Sequence, residues 1–311
     1  MGQSPRGFLI PMDASAETQM TALDISRFAG AQGMNAVQGE SCLWVQKRRF
    51  FFESVPGHRR IRLAPGEAQW LFRQGALAIR YTCDETEGEP SFEYVCNDRN
   101  FSLATLAPDA RRRVRRGLEA CEIKPVGFDV LASEGCAINR SVYSRQGRVV
   151  ESALTDQRGW VHYMTVCSEL SGLDAHGAFL DGRLIGFSIT VYVDDYCYLF
   201  HTHAYSDYMK LSPIYALTFT VMQKALARPG IRNVSQGLQS FLDLPEVERF
   251  KLAMGFQKRP LGRRVEISPL ARPIFSRPGA WIVGKLLKKL RPGLWQDFAA
   301  FAHALQLRRI A

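Results

Sequence analysis

Apolar and polar positions follow their most regular order between Gly177 and Phe256. Alternating runs at the start of this segment predict an extended hairpin and a third strand, followed by a polar loop. A long apolar helix begins at Ser212-Pro213, because proline is favoured in the first turn of a helix. A further strand and a short helix complete the segment. We expect the rest of the chain to be organised around it.

The first hundred residues predict mainly strands. Residues 1–40 are small and polar with one weak helical pattern, so we expect a surface arm there. Turn signals such as Pro-Gly then separate short apolar runs, as is typical of strands joined by tight turns. The strands predicted in this way cover residues 43–55, 58–63, 76–85 and 91–96.

A helix rich in arginine follows. Ser102 to Glu122 has apolar positions at helical spacing and five arginines within residues 111–116. These arginines either receive an anionic acceptor or carrier, or form a solvated helix face. A strand at residues 122–132 and a helix from Cys136 to Arg145 come next. The boundary predicted near residue 147 divides the chain into an arm (1–40), a strand-rich half (41–147), a second domain (148–270) and a tail (271–311).

Composition and charge narrow the class of protein. The chain has 311 residues, of which 46% are hydrophobic and 23% charged, which is ordinary for a soluble globular protein. The net charge of +10 is concentrated in the tail, where eight Lys and Arg residues stand against Asp297 alone. The charge therefore does not indicate a globally basic surface for nucleic acid. The tail also pairs basic residues with tryptophan, which predicts either an interfacial helix on anionic lipid or a helix packed on the body or a partner.

The cysteines and the N-terminus predict a cytoplasmic protein. The seven cysteines are scattered, odd in number and without a C-x-x-C pair, which favours reduced, mostly buried thiols and no metal site. We find no secretory signal and no stretch long enough to span a membrane. A peripheral position at the inner face of the membrane depends on the tail.

The start of the Ser212-Pro213 helix is a candidate anion site. The N–H groups of Lys210, Leu211, Ser212 and Ile214 are expected to converge there, with support from the helix dipole and the charge of Lys210. The alternative is an ordinary capped helix without a ligand.

Two histidines precede this loop on a predicted strand. His201 and His203 alternate by two and share one face, whereas Phe200, Thr202 and Ala204 take the other. An imidazole titrates near neutral pH and accepts a proton readily, and His203 lies nearer the loop. The alternative is that both are hydrogen-bonded structural histidines. A metal site is less favoured, because no third ligand stands at a recognisable spacing.

Polar residues at the next strand are candidates for substrate binding. Asn233, Ser235 and Gln236 either orient a substrate or form a turn. Asp194-Asp195, between Val193 and Tyr196, predicts a hairpin turn and is not assigned to acid–base chemistry.

The order of these elements, with the ending from Arg249 to Phe256, resembles the GNAT superfamily of acyl-CoA N-acyltransferases from Gly177 to about Ser268. The resemblance implies an α/β GNAT-like acyltransferase fold, with a mixed central sheet flanked by helices and two halves. Residues 148–270 are then the acyltransferase domain, and residues 41–147 are a degenerate second copy or a substrate-binding domain. It also implies that residues 210–214 hold the coenzyme A pyrophosphate.

Two positions resemble the Fem-like branch of that superfamily. Lys251 stands where many members have a tyrosine that protonates the departing thiolate, and Phe250-Lys251 is similar to the Fem-like pattern. The loop from Met209 to Ile214 contains none of the glycines usual in the superfamily. The Arg-rich helix is also similar to one found in the first half of Fem-like proteins.

The resemblance implies transfer of an acyl group, with acetyl the first choice, from coenzyme A to an amine. Acetyl-CoA or another acyl-CoA is the expected co-substrate, and the acceptor is a small-molecule or carrier-linked amine. His203, His201 and Lys251 are the candidate catalytic residues. One alternative is a Fem-like aminoacyl transferase that uses aminoacyl-tRNA, the single case in which nucleic acid is expected. The other is a non-catalytic, membrane-associated scaffold.

Overall fold

Eleven strands form one mixed sheet with helices on both faces, in a computed structural model that describes residues 19–146, 152–240 and 244–273 and the isolated positions Lys285 and Lys289. The strands are β1 Ala36–Gln38, β2 Leu43–Arg48, β3 Phe51–Val55, β4 Ala78–Cys83, β5 Glu89–Cys96, β6 Glu122–Pro125, β7 Leu173–Leu180, β8 Arg183–Val193, β9 Tyr196–Ala204, β10 Asn233–Leu238 and β11 Gln257–Ile267. The helices are α1 Ala22–Ala31, α2 Glu67–Arg73, α3 Pro108–Ala120, α4 Phe128–Val130, α5 Cys136–Gln146, α6 Ser152–Thr155, α7 Gln157–Ser168, α8 Pro213–Ala227 and α9 Pro245–Ala253. The predicted α/β class is confirmed.

The two halves of the sheet repeat one order of elements. In the first half, β1, β2 and β3 are antiparallel neighbours, α2 follows, and β4 pairs in parallel with β3. In the second half, β6 to β9 are antiparallel neighbours, α8 follows, and β10 pairs in parallel with β9. This repeated order supports the proposal that the first half is a degenerate copy of the second.

The halves are joined because each donates a strand to the other. β5 follows β4 in the chain but pairs with β10, and β11 follows β10 but pairs with β4. The two donated strands also pair with each other in the middle of the sheet. The full strand order is β1-β2-β3-β4-β11-β5-β10-β9-β8-β7-β6. Neither half closes its hydrogen-bond ladder alone, so we treat them as one cooperative unit.

Helix α1 belongs to the core, which corrects the expected surface arm for residues 19–40. Ile25, Phe28 and Ala29 recur at helical spacing and are buried against one face of the sheet, together with α7 and β8. Thr21 and Asp24 form a capping box that begins the helix. The sequence pattern is weak because the buried face contains alanine beside only two large apolar residues. Residues 1–18 lie outside the described residues.

Several predicted elements differ from the observed ones. Residues 58–63 are not a strand, although Ile61 donates a backbone hydrogen bond to Thr82 O at 2.9 Å. The strand expected at residues 122–132 ends at Pro125 and is followed by helix. β6 is an edge strand of the sheet and pairs with β7 alone among the described strands. Helix α3 packs on α8, so α3 and β6 lie with the second half. The boundary near residue 147 falls on undescribed residues 147–151 and stays a prediction.

Two sequence expectations about environment can be compared with the structure. All seven cysteines are free and buried, as expected of reduced thiols. Within the described ranges, every helix is too short or too polar to cross a bilayer. The membrane contact predicted for the tail falls almost entirely outside the described residues and stays a prediction.

A bulge in β10 determines where the sheet opens. The pairing of β10 with β5 shifts register between Ser235 and Leu238. Gly237 adopts φ +83°, a conformation that glycine reaches at little cost, and its N–H donates to Ser235 Oγ at 3.0 Å. Ser235 Oγ in turn donates to Glu93 on β5 at 2.8 Å. These contacts draw the end of β10 towards β5 and away from β9.

We expect Gly237→Ala to cost about 1 kcal/mol of stability, because an L side chain is strained at positive φ. Amide exchange in β10 should also become faster, since the bulge bond to Ser235 is disturbed. Gly182→Ala is the matched control, because Gly182 has φ +79° and, like Gly237, open space around its Cα. It should cost a similar amount without changing exchange in β10. Equal exchange in the two variants would contradict this role for the bulge.

Candidate active site

The parallel strands β9 and β10 separate to form a wedge. Their pairing ends at Tyr198 and Ser235, whereas β9 continues to Ala204 and β10 to Leu238. In the first half, the corresponding space beside β4 is filled by the chain itself. There Thr82 Oγ1 donates to Gly57 O at 2.7 Å, and the Ile61 bond to Thr82 O lies alongside. The wedge in the second half is therefore the open one of the two.

A cavity of about 340 Å³ lies on the α1 side of this wedge. Its walls come from both halves: α1, the β2–β3 hairpin, the end of β8, residues 198–200 of β9 and residues 236–238 of β10. Its size and mainly apolar lining are those of a small-molecule pocket.

The α8 start differs from the predicted anion site. Residues Ser206–Leu211 form a 3₁₀ helix, and the N–H of Ser212 donates to Met209 O at 3.0 Å. Ser212 itself adopts φ +63°, a left-handed conformation that favours glycine. Leu211 packs in an apolar cluster with Ile185 and Leu217. The N–H of Ser212 is thus committed within the fold, and the roles assigned to Lys210, Leu211 and Ile214 stay predictions.

The two histidines lie on the same face of β9, as expected, but Phe200 joins them. The β8–β9 register shifts between Ile189, which pairs with His201, and Thr190, which pairs with Leu199. This bulge leaves Phe200 unpaired and turns it to the same side, where its ring centroid lies 4.9 Å from that of Phe28. The prediction that side chains alternate strictly along β9 is therefore wrong at Phe200.

The environments of His201 and His203 are different. His203 Nδ1 lies 2.7 Å from Asn139 Oδ1 on α5, and its ring contacts Tyr143 and Phe187 edge to face. His201 lies against Tyr163 on α7, with a buried Nε2 that has no hydrogen-bond partner among the described residues. Burial, with a smaller contribution from His203, lowers the pKa of His201 to about 3. Neither histidine lines the cavity.

Lys251 is placed on the β10 wall of the wedge. Its Nζ donates to the carbonyl oxygen of Gln236 at 3.0 Å and lies 4.1 Å from the ring centroid of Tyr94. Burial lowers the pKa of Lys251 to about 8, although the charge of Glu248 opposes this shift. A lysine with such a pKa is protonated at neutral pH yet releases its proton readily, which is the behaviour of a general acid.

The three candidate substrate-binding residues separate in the structure. Gln236 lines the cavity, and its buried Oε1 has no hydrogen-bond partner among the described residues. Asn233 instead donates to Asp195 at 3.0 Å and accepts from Arg259 at 3.2 Å. The Ser235 hydroxyl donates to Glu93 and accepts the N–H of Gly237 in the bulge. Only Gln236 is therefore available to a ligand by this geometry, and the assignments of the other two gain no support.

A histidine that sequence reasoning missed joins the halves beside the cavity. His58 Nε2 lies 2.9 Å from Asp194 Oδ2, and its Nδ1 lies 2.5 Å from the hydroxyl of Tyr198. Its ring stacks on Tyr196 at 3.8 Å between centroids. Arg59 holds the same carboxylate in a two-point contact of 2.6 and 2.7 Å. No local pattern pointed to this cluster, because His58 and Tyr198 are 140 positions apart.

The arginines of α3 line one exposed side of that helix. Arg111, Arg112, Arg115 and Arg116 form a shallow basic groove. Gly117, on the opposite side, allows α3 to approach the start of α8 so closely that a Cβ there would lie 2.6 Å from Ser212 O. The basic groove therefore lies on the side of α3 away from α8, whereas Arg113 lies over the Tyr215 ring of α8, 5.3 Å from its centroid. Within the described ranges no cluster of His, Cys, Asp and Glu is able to hold a metal ion.

The contrast between the histidines gives a stability prediction. His201→Phe should be neutral or stabilising at pH 7.5, because it removes a buried nitrogen without a partner. His203→Phe should lose about 1–3 kcal/mol, because it removes the partner of the buried Asn139 Oδ1, although Asn139 Nδ2 keeps its bond to Leu154 O.

The first of these variants should also change the pH dependence. The folded pKa of His201, about 3, lies below its unfolded value, so protonation favours the unfolded state and stability falls as the pH drops below about 6.5. At pH 5 this effect reaches about 2 kcal/mol, and His201→Phe should remove it. Urea unfolding at pH 7.5 and 5 measures both effects. An unchanged pH dependence in His201→Phe would contradict the buried, neutral state of His201.

Comparison with known proteins agrees with this architecture. Residues 108–251 match the family model described as an acetyltransferase (GNAT) domain. FemX is 9% identical, with 81% of this chain and 93% of that chain covered and a TM-score of 0.57. The C-terminal domain of a putative lysylphosphatidylglycerol synthetase from Agrobacterium fabrum is 12% identical, with 81% and 90% covered and a TM-score of 0.55. L-PGS from Bacillus licheniformis is 11% identical, with 83% and 91% covered and a TM-score of 0.53.

No curated protein matches the sequence. At these identities the solved structures show the fold alone, and the family match supports acyl transfer to an amine as the general reaction. Residues 108–251 are thus similar to a GNAT domain, and the chain shares its fold with FemX, the Agrobacterium fabrum domain and L-PGS.

Proposed function

We propose that the protein transfers an acyl group from coenzyme A to an amine at the wedge between β9 and β10. The observation that carries this proposal is the parallel pair that opens beyond Tyr198 and Ser235, with Lys251 on its wall. An acyl thioester enters the wedge from the side of α8, so that its carbonyl carbon lies near the cavity. The acceptor amine reaches the same carbon from the side of α1.

Lys251 supplies the proton for the leaving group. Attack by the amine on the acyl carbon breaks the carbon–sulfur bond and leaves a thiolate, which needs a proton or a cation. Lys251 Nζ is already oriented towards β10 by the Gln236 carbonyl, and burial makes its proton easier to release. His203, the base predicted from the sequence, lies with its Nδ1 against Asn139 of α5 and does not line the cavity, so this geometry adds no support for that role.

The donor is held mainly by side chains in this proposal. With the Ser212 N–H committed to Met209, a pyrophosphate at the α8 start depends on Lys210 and on Arg113 of the neighbouring α3, which lies over the Tyr215 ring of α8. Those residues suit phosphate oxygens chemically, but they do not specify coenzyme A.

Aminoacyl-tRNA is the second candidate donor, and the basic groove on α3 favours it. A basic groove of four arginines along one helix suits a run of backbone phosphates better than a single pyrophosphate. The reaction would again be attack of an amine on an activated acyl carbon, with an ester oxygen as the leaving group.

We expect Lys251→Met to lower turnover by about 100-fold, because general acid catalysis commonly contributes at least that factor. The wild-type rate should fall above about pH 8, where Lys251 loses its proton, and this alkaline limb should be absent in the variant. Lys258→Met removes a neighbouring cation of the same Glu248 network and is the control. Turnover in Lys251→Met within threefold of that control would exclude Lys251 as the acid.

Donor identity is tested by binding. Acetyl-CoA and longer acyl-CoAs are titrated by calorimetry, and aminoacyl-tRNA is measured by filter binding at 50 and 200 mM salt. Our first proposal predicts acyl-CoA binding that weakens in a Lys210→Ala variant. Strong, salt-dependent tRNA binding without acyl-CoA binding would favour the second donor. Binding of neither donor, together with co-sedimentation on anionic vesicles, would favour the non-catalytic scaffold.

A further inference from the structure

The cavity on the α1 side of the wedge has the lining of a site for an apolar molecule. Its walls are formed largely by aliphatic and aromatic side chains from both halves, among them Ile25, Phe28, Val45, Val55, Val191 and Phe200. Removing hydrocarbon from water into such a space is favourable by about 0.8 kcal/mol for each methylene.

Charged groups on the cavity wall are already compensated. Glu53 forms an ion pair with Arg80 and lies 3.7 Å from Arg263. Burial alone would raise the pKa of Glu53, but Arg80, Arg263 and Lys47 together lower it, so it is ionised and paired. The wall therefore offers no spare carboxylate for a second ammonium group, which disfavours a polyamine as ligand.

Two polar atoms mark the wedge end of the cavity. Gln236 contributes its buried Oε1, which has no partner in the part of the chain that the structure describes and is an acceptor that a bound N–H group would satisfy. Tyr198 contributes its hydroxyl, which receives the backbone N–H of His58 at 3.2 Å and faces His58 Nδ1 at 2.5 Å. An amine at this end of an apolar cavity meets acceptors on both strands of the wedge.

Tyr198 is the first member of a chain of hydrogen bonds suited to proton transfer. Its hydroxyl donates to His58 Nδ1 when His58 is neutral, and His58 Nε2–H then donates to Asp194. Arg59 fixes the Asp194 carboxylate, and Tyr196 fixes the plane of the imidazole. A proton that reaches Tyr198 thus moves its own hydroxyl proton to His58, whose positive charge is balanced by Asp194.

We propose that this cavity binds the acceptor as a primary amine on a single apolar group, and that Tyr198, backed by His58 and Asp194, receives the amine proton. The proposal rests on the acyl transfer proposed above. It assigns to the cavity a substrate class, and to Tyr198 the role of base that the sequence suggested for His203.

The step balances as follows. The ammonium form loses one proton to solvent, and the neutral amine nitrogen attacks the acyl carbon. The new carbon–nitrogen bond forms while the carbon–sulfur bond breaks. The nitrogen gives its second proton to Tyr198, which passes its hydroxyl proton to His58 Nδ1, and Lys251 protonates the thiolate. The products are an amide and a free thiol, and His58 and Lys251 return to their starting states by exchange with solvent.

Amine binding is measured without a donor, by calorimetry with butylamine, hexylamine, octylamine and ethanolamine. Affinity should rise about fourfold per methylene while the cavity fills, and ethanolamine should bind weakest. Val55→Phe fills the cavity and should abolish the preference for the longer amines. Val166→Phe is the matched control, because Val166 packs on the same core but does not line the cavity. A chain-length series that is flat, or unaffected by Val55→Phe, overturns the site.

The relay is tested with Tyr198→Phe, which keeps the ring and removes the hydroxyl. Octylamine turnover should fall by 100-fold or more, with octylamine affinity changed less than threefold. Tyr205→Phe loses a hydroxyl just beyond the same strand, from a ring that contacts Tyr208 rather than His58, and should stay within threefold of wild type. Tyr198→Phe turnover at that level, with His203→Ala reduced instead, overturns the relay.

The pH profile separates the relay from a structural role. His58 faces Asp194 and Asp195 of the turn, Arg59 of its own loop, and Tyr196 and Tyr198 of β9. Protonation of His58 blocks transfer from Tyr198, so the wild-type rate should fall on the acid side, and this limb should be absent in Tyr198→Phe. An acid limb that persists in the variant overturns the relay.

A spectroscopic measurement decides the relay even if neither donor is used. Octylamine should shift the His58 ring resonances in wild type and Tyr205→Phe but not in Tyr198→Phe. Unshifted resonances with octylamine bound overturn the relay, whereas the absence of turnover with every donor counts against the acyl transfer alone.

Discussion

The site depends on a change of hydrogen-bond partner by one short strand. β10 begins beside β9 but is drawn to β5 by the Ser235–Glu93 bond and the bulge at Gly237. A strand of six residues cannot keep both ladders in register while it bends. The wedge is therefore a consequence of how the sheet is assembled, and it needs no additional loop to hold it open.

The exchange of β5 and β11 explains why the cavity is shared between the halves. Because β5 comes from the first half, the bulge that opens the second half depends on a residue, Glu93, supplied by its neighbour. The contacts of His58 with Asp194 and Tyr198 likewise join a residue of the first half to residues of the second half beside the cavity. The first half, in which the chain itself fills the corresponding space, is thus still required for the site in the second half, since it forms one wall of that site.

The sequence predicted the second half better than the first. The β7–β8–β9 order, the Asp194-Asp195 turn and the helix beginning at Pro213 follow from local periodicity and turn chemistry, and all are found. Helix α1 was undervalued because two large apolar residues and small neighbours give a weak pattern. The bulge at Phe200 was invisible, since alternation assumes a regular strand.

The site was predicted only in part for a similar reason. Lys251 and Gln236 were marked in the sequence by a family pattern and by a strand end, and both lie at the wedge, where their roles stay predictions. The sequence alone predicts His201 and His203 as catalytic residues. In the structure, α5 and α7 cover their face of β9. No local sequence pattern predicts a role for His58, because its hydrogen-bond partners lie 136 and 140 positions away in the chain. Long-range pairing of this kind is set by sheet topology, which periodicity does not encode.

The start of α8 shows how a lost motif changes recognition chemistry. Backbone N–H groups bind an anion at little entropic cost, because the fold has already fixed them. Here the 3₁₀ turn and the left-handed Ser212 commit the Ser212 N–H to Met209 O, and the cationic groups beside it are the long side chains of Lys210 and of Arg113 on α3. Arginine side chains must be ordered on binding and are screened by salt. In the acyl transfer proposed above, a donor held by such side chains would be selected by the positions of its phosphates relative to them rather than by a fixed backbone loop.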